Sequence, residues 1–339
     1  MPQRAWITGI TGFAGGFLAE HLLEAGDAVI GSAPAGRWDP ASPASIRDAV
    51  ELVPWDLGSE ERPGDEALRW LEGFAPEVVY HLAGLSIPAD CGEKEPTAAA
   101  RAVNVEGTRR VLALAGWLPS RPRVLLTSSS RVYAPVPPHA PRVAEDAPLG
   151  AVRGYGKTKL AAEALSRQAA ACGCCEVVIA RAFQHAGPRQ APRLMLSEWA
   201  WQFATRPPTD PIEVQSLDAR IDLSDVRDVV RAYRLLMLHG DSGEVYNVGS
   251  GRNLASGEVF RLLEAAAGQR RRAVERCPGH KQDPIADVTR LRAATGWTPQ
   301  LPLAQTVADT FAYWHSAADS WSKDVDHETT ETGLGEKRR

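Results

Sequence analysis

The sequence lacks the features that would place it in a membrane or on a nucleic acid. No stretch approaches the roughly 18 consecutive apolar residues that a membrane-spanning helix needs. The formal net charge is only -4, whereas a general nucleic-acid-binding protein would present a basic face. The first residues, MPQRAWITGITGF, show neither the apolar core nor the cleavage site of a secretory signal. We therefore expect a cytoplasmic protein that binds neither membranes nor nucleic acids.

Cysteine is also scarce, with five among 339 residues. Three of them cluster at Cys172, Cys174 and Cys175. No second pair of cysteine or histidine residues at ligand spacing accompanies this cluster, so no metal site is predicted. We expect buried or half-buried thiols at the entry to a strand rather than a disulfide framework.

What the sequence does contain is an alternation of apolar strands and amphipathic helices. Near-continuous apolar runs, such as RAWIT at 4–8, EVVYHL at 77–82 and RVLLTS at 123–128, are separated by segments with helical periodicity. Such runs are typical of a parallel sheet that is covered by helices on both faces. The predicted fold class is therefore α/β, a doubly wound parallel sheet of the Rossmann type with a smaller, mixed α/β lobe.

A phosphate-binding turn is predicted directly after the first strand. Gly9, Gly12 and Gly15 follow that strand at GxxGxxG spacing and open the first helix. Glycines let the backbone turn tightly, and the N–H groups at a helix N-terminus attract the pyrophosphate of a dinucleotide. The position between a strand and an amphipathic helix favours this interpretation over a merely structural turn.

The end of the second strand bears on the choice between NAD and NADP. An acidic residue there would bind the ribose 2′-hydroxyl of NAD, but Ala33 occupies that position. Ser32 and Arg37 lie nearby and would suit a 2′-phosphate. The prediction therefore leans towards NADP(H), although Arg37 would equally fit a solvated loop.

The strand and helix pattern becomes less regular beyond about residue 187. We predict a dinucleotide-binding domain over 1–187, with returning pieces around 222–250, and a mainly substrate-binding lobe over 188–318. The segment 319–339 is polar and charged, with too few apolar groups to pack, and we expect it to be a disordered tail.

A second motif carries acid–base chemistry. Tyr155 and Lys159 form a YxxxK pattern on a predicted helix, and their i, i+4 spacing puts both side chains on one face. A neighbouring ammonium stabilises a tyrosine phenolate and makes proton transfer to or from a substrate hydroxyl feasible. The preceding strand ends in TSSS, which supplies a serine for the same oxygen. Without that strand, the pattern would equally fit a surface helix pair.

These motifs occur in the order seen in the extended short-chain dehydrogenases/reductases, the NAD-dependent epimerase/dehydratase family, which the chain resembles up to about Trp314. The stretches that carry the resemblance are TGITGFAGG, HLAG, NVEGT, TSSSRVY and YGKTK, and later RAFQHAGPRQ, SDVRDVVRAY, EVYNVGSG and RLRAATGWTP. The later blocks look like the branch that contains GDP-mannose 4,6-dehydratase and GDP-6-deoxy-4-keto-mannose reductase.

The resemblance implies a set of catalytic and binding residues. Ser129 would bind the reacting oxygen, Tyr155 would be the general acid/base, and Lys159 would lower the pKa of that tyrosine and bind the nicotinamide ribose. Asp56 and Leu57 would contact adenine. The full set of implied cofactor-binding residues is Gly9, Thr11, Gly12, Phe13, Gly15, Asp56, Leu57, Leu82, Ala83, Gly84, Lys159, Ala182 and Phe183. The implied substrate-binding residues are Ser86, Ser130, Arg131, Gln184 and Arg220.

Some positions depart from the family pattern. Arg131 stands where the 4,6-dehydratases carry a glutamate, and an arginine stays protonated, so it cannot be the base of an elimination. At the expected diphosphate site, Gln184, Ile221 and Cys277 replace the asparagine and two arginines of the family. Arg276 lies next to Cys277 and would compensate, or the substrate differs from that of the relatives.

The leading prediction is an NAD(P)-dependent reductase acting at C4 of a 4-keto-6-deoxy sugar nucleotide, GDP-linked by resemblance. A sugar-nucleotide 4-epimerase with retained NAD and a catalytically silent dinucleotide-binding regulatory protein stay open, as does a dehydrogenase of free sugars or aldehydes. The resemblance also implies a homodimer through a four-helix bundle, formed by the helices around Asn104–Leu114 and Tyr155–Ala171 of each subunit.

Four further features invite a functional interpretation beside a structural one. His185 is predicted either to border the nicotinamide or to be a packing histidine whose hydrogen bonds are made within the protein. Trp199 and Trp201 are predicted to be packing anchors or to touch a nucleotide base. The basic run at 270–272 is predicted to be a solvated loop.

Overall fold

A seven-stranded parallel sheet is the largest sheet among the residues that the computed structural model describes. These are residues 2–38 and 42–331, with side chains up to residue 317. Elements are numbered in chain order. The sheet has the strand order β12-β7-β5-β4-β1-β2-β3, with β1 (Arg4–Thr8), β2 (Ala28–Ala33), β3 (Leu52–Pro54), β4 (Val78–His81), β5 (Arg123–Ser129), β7 (Val177–Ala182) and β12 (Val245–Val248).

Both faces of this sheet are apolar because successive residues of a strand point to opposite sides. In β5, Leu125 belongs to one hydrophobic core, whereas Val124 and Leu126 belong to the other. Helices α1, α2, α8 and α10 cover the first face, and α3, α5 and α6 cover the second. The predicted α/β fold class is therefore confirmed. The helices of this unit are α1 (Phe13–Glu24), α2 (Ala44–Ala49), α3 (Asp65–Phe74), α4 (Ala98–Arg101), α5 (Gly107–Trp117), α6 (Gly154–Ala171), α8 (Val226–His239) and α10 (Thr289–Thr295).

The strand order reverses at β1, which pairs with β2 on one side and with β4 on the other. Thr8 and His81 therefore lie side by side at the carboxyl ends of β1 and β4, where the connections to the helices diverge. A crevice at such a reversal is where ligands bind in open parallel sheets. The three glycines of the GxxGxxG turn, Tyr155 and Lys159 all lie in the part of the chain that forms this sheet and its helices.

Two compact units divide the chain. The first runs up to His185 and takes back Arg220–Leu254 and Lys281–Leu301, and the second comprises Ala186–Ala219, Ala255–His280 and the chain from Pro302. The segment Lys281–Leu301 had been placed in the lobe by the sequence analysis. It belongs to the first unit because β16 pairs with β6 and α10 packs on α8. These strands are β6 (Arg142–Val143) and β16 (Ile285–Ala286).

The remaining short strands form small sheets. The strands β8 (Gln184–Ala186) and β11 (Leu223–Asp225) pair with each other, as do β9 (Ile212–Val214) and β14 (Ala273–Glu275). A three-stranded sheet has the order β13-β10-β15, from β10 (Ala219–Ile221), β13 (Leu254–Ala255) and β15 (Lys281–Gln282).

The second unit packs three helices, α7 (Met195–Thr205), α9 (Ser256–Ala267) and α11 (Leu303–Glu331). Trp199 is buried and meets Phe260 edge-on at 5.8 Å, so it is a packing residue rather than a base-binding one. The basic run at 270–272 is not wholly solvated as predicted. Arg271 is buried, and its guanidinium donates to the carbonyls of Pro207 and Asp210 in the turn between α7 and β9.

Helix α11 extends to Glu331, whereas the sequence analysis predicted a disordered tail from residue 319. Residues 303–331 contain neither glycine nor proline, so a polar composition removes packing partners without breaking the backbone hydrogen bonds of a helix. The rest of the predicted tail, 332–339, lies outside the described residues. Within the described residues, no helix combines the length and the apolarity needed to span a bilayer.

The cysteine cluster also differs from expectation. Cys175 is a buried thiol as predicted, but Cys172 and Cys174 are exposed and joined by a disulfide. Gly173 between them has a φ of 70°, a left-handed conformation that turns the chain back and brings the two sulfurs together.

Candidate active site

The glycine turn after β1 is set by contacts between backbones. Gly9 has a φ of 72°, and a Cβ atom there would lie 2.7 Å from the backbone of Ala83. A Cβ atom at Gly15 would overlap the carbonyl oxygen of Gly9. The turn, the start of α1 and the segment after β4 therefore touch without intervening side chains, and the structure brings Gly9, Gly15 and Ala83 together as the sequence predicted.

The N-terminus of α1 is open to an anion. Its N-cap residue is Gly12, and no side chain caps the first-turn N–H groups within the described residues. Unpaired N–H groups and the helix dipole favour a phosphate at this place. Thr11 is partly exposed beside the turn, and the partly exposed Phe13 stacks on His185 with ring centroids 6.0 Å apart. These residues fit the pyrophosphate of a dinucleotide.

Ser32, one of the two residues expected to suit a 2′-phosphate, is engaged within the protein. Ser32 is buried, and its hydroxyl accepts a hydrogen bond from the Trp6 indole at 3.3 Å, so it is not available to a cofactor phosphate. Arg37 is exposed after β2. The preference for NADP(H) therefore depends on Arg37 alone.

The residues expected near adenine follow β3. The Asp56 carboxylate accepts hydrogen bonds from Gly58 N at 2.8 Å and from the Ser59 hydroxyl at 2.6 Å, and these bonds lower its pKa. The Leu57 side chain is buried in the core between the sheet and α5. Asp56 is thus a preformed carboxylate in a turn, whereas Leu57 presents only its backbone.

A network of uncharged side chains supports the segment after β4. His81 is bonded through Nδ1 to Thr8 Oγ1 at 2.7 Å and through Nε2 to Thr108 Oγ1 at 3.0 Å. Burial, together with the charge of Lys159, lowers the pKa of His81 to about 3, so the ring is neutral. We call Thr8, His81, Thr108 and Asn104 the neutral network, because Thr108 also donates to the Asn104 carbonyl at 2.8 Å.

Asn104 is a site residue whose role sequence reasoning missed. Its side chain accepts from Leu85 N at 2.7 Å and donates to Leu85 O and to Thr158 Oγ1, both at 3.0 Å. A π-helical turn over residues 102–106 presents it there, and such turns often mark functional sites. Asn104 thereby connects the segment containing Leu82, Ala83 and Gly84 to α6. The NVEGT motif drew attention to this position, but a motif does not show which groups the Asn104 side chain contacts.

The catalytic hydroxyls meet at the end of β5. Ser129 is the last residue of that strand, and its hydroxyl acts on the hydroxyl of Tyr155, in the first turn of α6, closely enough to lower the pKa of the tyrosine. Desolvation raises the pKa of Tyr155 to about 12, while the bond to Ser129 and the charge of Arg131 oppose the rise. The tyrosine therefore keeps its proton at neutral pH. The sequence assigned the lowering of this pKa to Lys159, and the structure adds the charge of Arg131, which acts in the same direction.

Lys159 lies one turn further along α6, buried, with its ammonium 5.9 Å from the Tyr155 ring centroid. It donates to Thr127 O at 2.9 Å, and a Cβ atom at Gly84 would come within 3.6 Å of it. Burial lowers the pKa of Lys159 to about 8. The thiol of Cys91, buried in the same region, donates to Leu85 O at 3.3 Å.

Two predicted substrate-binding residues converge on a carboxylate that sequence reasoning missed. Arg131 forms two parallel hydrogen bonds of 3.0 Å to Asp283, and Gln184 donates to the same carboxylate at 2.8 Å. Lys281 pairs with it at 3.3 Å. Although burial opposes the effect, the charges of Arg131 and Lys281 leave the pKa of Asp283 below its ordinary value. No motif pointed to Asp283, because it is 152 residues from Arg131 in the sequence.

The other predicted substrate and cofactor residues are more dispersed. Ser86 is exposed after β4, and Ser130 is buried in a 3₁₀ turn over residues 130–132. Arg220 is partly exposed on β10, and its carbonyl accepts from Asp283 N at 2.9 Å. Buried side chains at or just after the end of β7 belong to Ala182 and Phe183.

The proposed compensation at Cys277 is not what the structure shows. Arg276 pairs with Glu198 at 3.2 Å and with Glu213, both within the second unit. Its guanidinium is therefore already engaged by two carboxylates. Ile221, the other replaced position, is buried.

Comparison with known proteins adds to this geometry. Residues 5–249 match the model of the NAD dependent epimerase/dehydratase family. The chain is 28% identical to GDP-6-deoxy-D-mannose reductase of Pseudomonas aeruginosa, over 93% of this chain and 98% of that protein. It is 30% identical to UDP-glucose 4-epimerase of Mycolicibacterium smegmatis, over 93% of this chain and 99% of that protein.

A solved structure has the same fold. RMD from Pseudomonas aeruginosa complexed with NADPH superposes with a TM-score of 0.76 at 29% identity, covering 93% of this chain and 99% of that one.

Proposed function

This chain belongs to the NAD dependent epimerase/dehydratase family, and on that premise we propose that it is an NAD(P)-dependent reductase acting at C4 of a 4-keto-6-deoxy sugar nucleotide. The similarity to GDP-6-deoxy-D-mannose reductase over nearly the whole length of both chains supports this class of substrate, with GDP as the nucleotide. The open N-terminus of α1 and the close contact of Gly9 with Ala83 support NAD(P) as the cofactor.

The observation that carries the proposal is that the Tyr155 hydroxyl lies beside Ser129, close enough for the serine hydroxyl to lower the pKa of the tyrosine. A reduction at C4 leaves negative charge on the keto oxygen, and a proton must be delivered to it. With its pKa raised to about 12, Tyr155 is protonated at neutral pH and suits the role of donor. Ser129 holds the same oxygen by a second hydrogen bond, as a donor aimed at developing charge.

The chain's own residues then define the mechanism. A bound nicotinamide would supply the hydride at C4. Tyr155 passes its proton to the oxygen as the charge develops there, and Ser129 keeps the oxygen in place during the transfer. Lys159 is anchored by Thr127 O and holds an ammonium beside the tyrosine ring, which favours the phenolate that the transfer leaves behind. Asn104 fixes the segment of Gly84 against which that ammonium lies.

The surroundings of Arg131 argue against a dehydratase. An elimination needs a carboxylate free to take a proton, but the carboxylate beside Arg131 belongs to Asp283 and is engaged by Arg131, Gln184 and Lys281. Its lowered pKa makes it a poor base. We propose that Arg131, Gln184, Ser86, Ser130 and Arg220 line the substrate side of the site.

A sugar-nucleotide 4-epimerase is the second candidate, since the chain is 30% identical to UDP-glucose 4-epimerase over 93% of its length. An epimerase oxidises C4 first, and for that step Tyr155 must be a base. The same tyrosine must return the proton when C4 is reduced again, so its protonation state alone does not separate the two candidates. Stoichiometric consumption of NAD(P)H separates the two candidates, because an epimerase returns its cofactor unchanged.

We also propose a cytoplasmic homodimer through α5 and α6. A groove of about 220 Å³ between these helices supports it, lined by apolar side chains such as Leu112, Ala113 and Leu165, and Trp117 at the end of α5 is 58% exposed. Four such helices would cover these groups in a bundle. Size-exclusion chromatography with light scattering tests this, and a monomer at micromolar concentration would contradict it.

The function is tested first by a thermal-shift panel of NAD⁺, NADH, NADP⁺ and NADPH, each with and without GDP, UDP, dTDP and CDP. A ligand at about 100 times its Kd stabilises a protein by about 2.7 kcal/mol. We expect one dinucleotide and GDP to raise the Tm together. If a dinucleotide acts and no nucleoside diphosphate does, the sugar-nucleotide substrate is wrong.

Turnover of a GDP-4-keto-6-deoxy sugar with NAD(P)H is then measured for the wild type and Tyr155→Phe. We expect Tyr155→Phe to lose roughly 10²–10⁴-fold in kcat while the cofactor still raises its Tm. Tyr80→Phe is the matched control, because the Tyr80 hydroxyl is buried without a hydrogen-bond partner among the described residues. Full activity of Tyr155→Phe would refute the mechanism.

A further inference from the structure

A buried carboxylate lies beneath the catalytic helix and has no part in the mechanism above. Glu163 belongs to α6, one turn after Lys159 and two turns after Tyr155, and its side chain is only 1% exposed. Residues at these spacings share a helix face. Whatever holds Glu163 therefore also holds the face that presents the two catalytic side chains.

All the bonds of this carboxylate are directed at two strands and one surface residue. Its Oε1 accepts from Ser128 Oγ at 2.5 Å and from Arg181 Nε at 2.9 Å. Its Oε2 accepts from an Arg181 guanidinium nitrogen at 2.8 Å and from Arg167, which is 46% exposed, at 2.9 Å.

The register of the sheet makes the position of these bonds significant. Ser128 of β5 and Arg181 of β7 are paired in the parallel ladder, and the next pair is Ser129 with Ala182. Glu163 is therefore bonded to both strands at the level directly before Ser129. A strand rises by about 3.3 Å per residue, so a shift of α6 by one residue's height would part the two catalytic hydroxyls.

Arg181 is itself held from its other side. One guanidinium nitrogen donates to the Tyr133 hydroxyl at 3.0 Å and to the Glu145 carbonyl at 2.8 Å, and Tyr133 donates to Asn247 at 2.7 Å. We call Ser128, Glu163, Arg181 and Tyr133 the charged network. Since Arg181 is only 1% exposed, it ties Glu163 to a fixed point in the interior, in addition to the bond from the exposed Arg167.

We propose that Glu163 is a positioning residue, which through Ser128 and Arg181 holds α6 at the height where the Tyr155 hydroxyl meets Ser129. For stability alone, an ion pair buried this deeply has no advantage over apolar side chains of the same volume. Its directed bonds instead fix one arrangement of helix and strands. The meaning of that arrangement for turnover rests on the function proposed above.

The charge of Glu163 has a second consequence at Lys159. Burial lowers the pKa of Lys159, and the carboxylate of Glu163 raises it again. The other titratable groups that face Lys159 are Cys91, His81 and Tyr155. Glu163 thereby helps to keep an ammonium beside the tyrosine at neutral pH.

The first test removes the bond to β5 and leaves the ion pair in place. In Ser128→Ala we expect kcat to fall at least tenfold, with the KM for the cofactor unchanged. In crystals of this variant, the Ser129 and Tyr155 hydroxyl oxygens should lie further apart than in crystals of the wild type. Arg167→Gln is the matched control, because it removes a bond to the same carboxylate without touching a strand, and it should match the wild type in both readouts.

The second test removes only the charge. Activity that requires the Lys159 ammonium should fall as the pH rises through about 8, and in Glu163→Gln this fall should move to lower pH. Arg167→Gln should leave the profile in place. If Glu163→Gln does not fold, Ser128→Ala decides the proposal without it.

The outcomes separate this inference from the proposed function. If Ser128→Ala keeps the wild-type kcat and oxygen separation, or if Arg167→Gln changes them equally, Glu163 does not position the site. If the wild type turns over no sugar nucleotide, the proposed function fails, and the oxygen separation in Ser128→Ala still decides the role of Glu163.

Discussion

The neutral network and the charged network support two sides of one site by different means. The neutral network joins the ends of β1 and β4 to α5 through hydroxyls, an amide and an uncharged imidazole. The charged network joins β5 and β7 to α6 through a carboxylate and a guanidinium. Both are buried, so the difference does not arise from exposure to solvent.

The difference matches the charge expected beside each network: a cofactor pyrophosphate beside the neutral network and the Lys159 ammonium beside the charged network. The neutral network lies under the glycine turn, where a buried carboxylate would repel a pyrophosphate. The charged network lies under Lys159, where the carboxylate of Glu163 sustains an ammonium against desolvation. Uncharged hydrogen bonds tolerate the loss of one member at modest cost, whereas a buried ion pair does not.

The largest effect is expected from splitting the charged network. Arg181→Leu leaves the carboxylate of Glu163 buried without its main partner, and we expect the free energy of unfolding to fall by about 3–5 kcal/mol. The double variant Glu163→Leu/Arg181→Leu removes both charges and should recover a large part of that loss. Denaturant unfolding of the wild type and the two variants measures this, and a double variant that is no more stable than Arg181→Leu would contradict it.

An intermediate effect is expected from acid, and it belongs to the neutral network. The pKa of His81 is about 3 in the fold, against about 6.5 when unfolded. Below pH 6.5 the unfolded chain takes up a proton that the fold excludes, so this contribution to stability is lost as the pH falls towards 3. The loss amounts to roughly 2 kcal/mol between pH 6.5 and 5.

His81→Asn should flatten that acid dependence, measured by denaturant unfolding at a series of pH values. The control is His239→Asn, since His239 is exposed at the end of α8. An unchanged slope in His81→Asn would show that the imidazole is not held neutral by its surroundings.

The smallest effect is expected from Thr108→Val, which keeps the shape of the side chain and removes its hydroxyl. The bonds to the Asn104 carbonyl and to His81 are lost, at a cost of about 1–3 kcal/mol because both partners are buried. Thr310→Val in α11 is the matched control, since that buried hydroxyl bonds only the Thr306 carbonyl of its own helix. Equal losses in the two variants would mean that the neutral network adds nothing beyond a local bond.

Much of the fold and part of the site were predictable from local patterns. The near-continuous apolar runs and the helical patterns led to the parallel sheet, and the glycine spacing led to the turn after β1, because both depend on neighbours in the sequence. Ser129, Tyr155 and Lys159 lie on two adjacent elements and were found by motif. The course of the chain after residue 280 could not be predicted in this way. The elements β15, β16 and α10 return to the first unit by contacts that no local pattern encodes.

The groups that hold the site came only with the tertiary structure. Asp283 is 152 residues from Arg131, and Arg181 is 18 residues from Glu163, so neither pair has a spacing that a motif can register. The pKa values of Tyr155 and His81 depend on burial, which is a property of the packed chain. By itself the sequence determined which chemical groups are present and the elements that carry them. Only the tertiary structure decided which charges meet, because electrostatic and hydrogen-bond energies depend on distances across the fold and not along the chain.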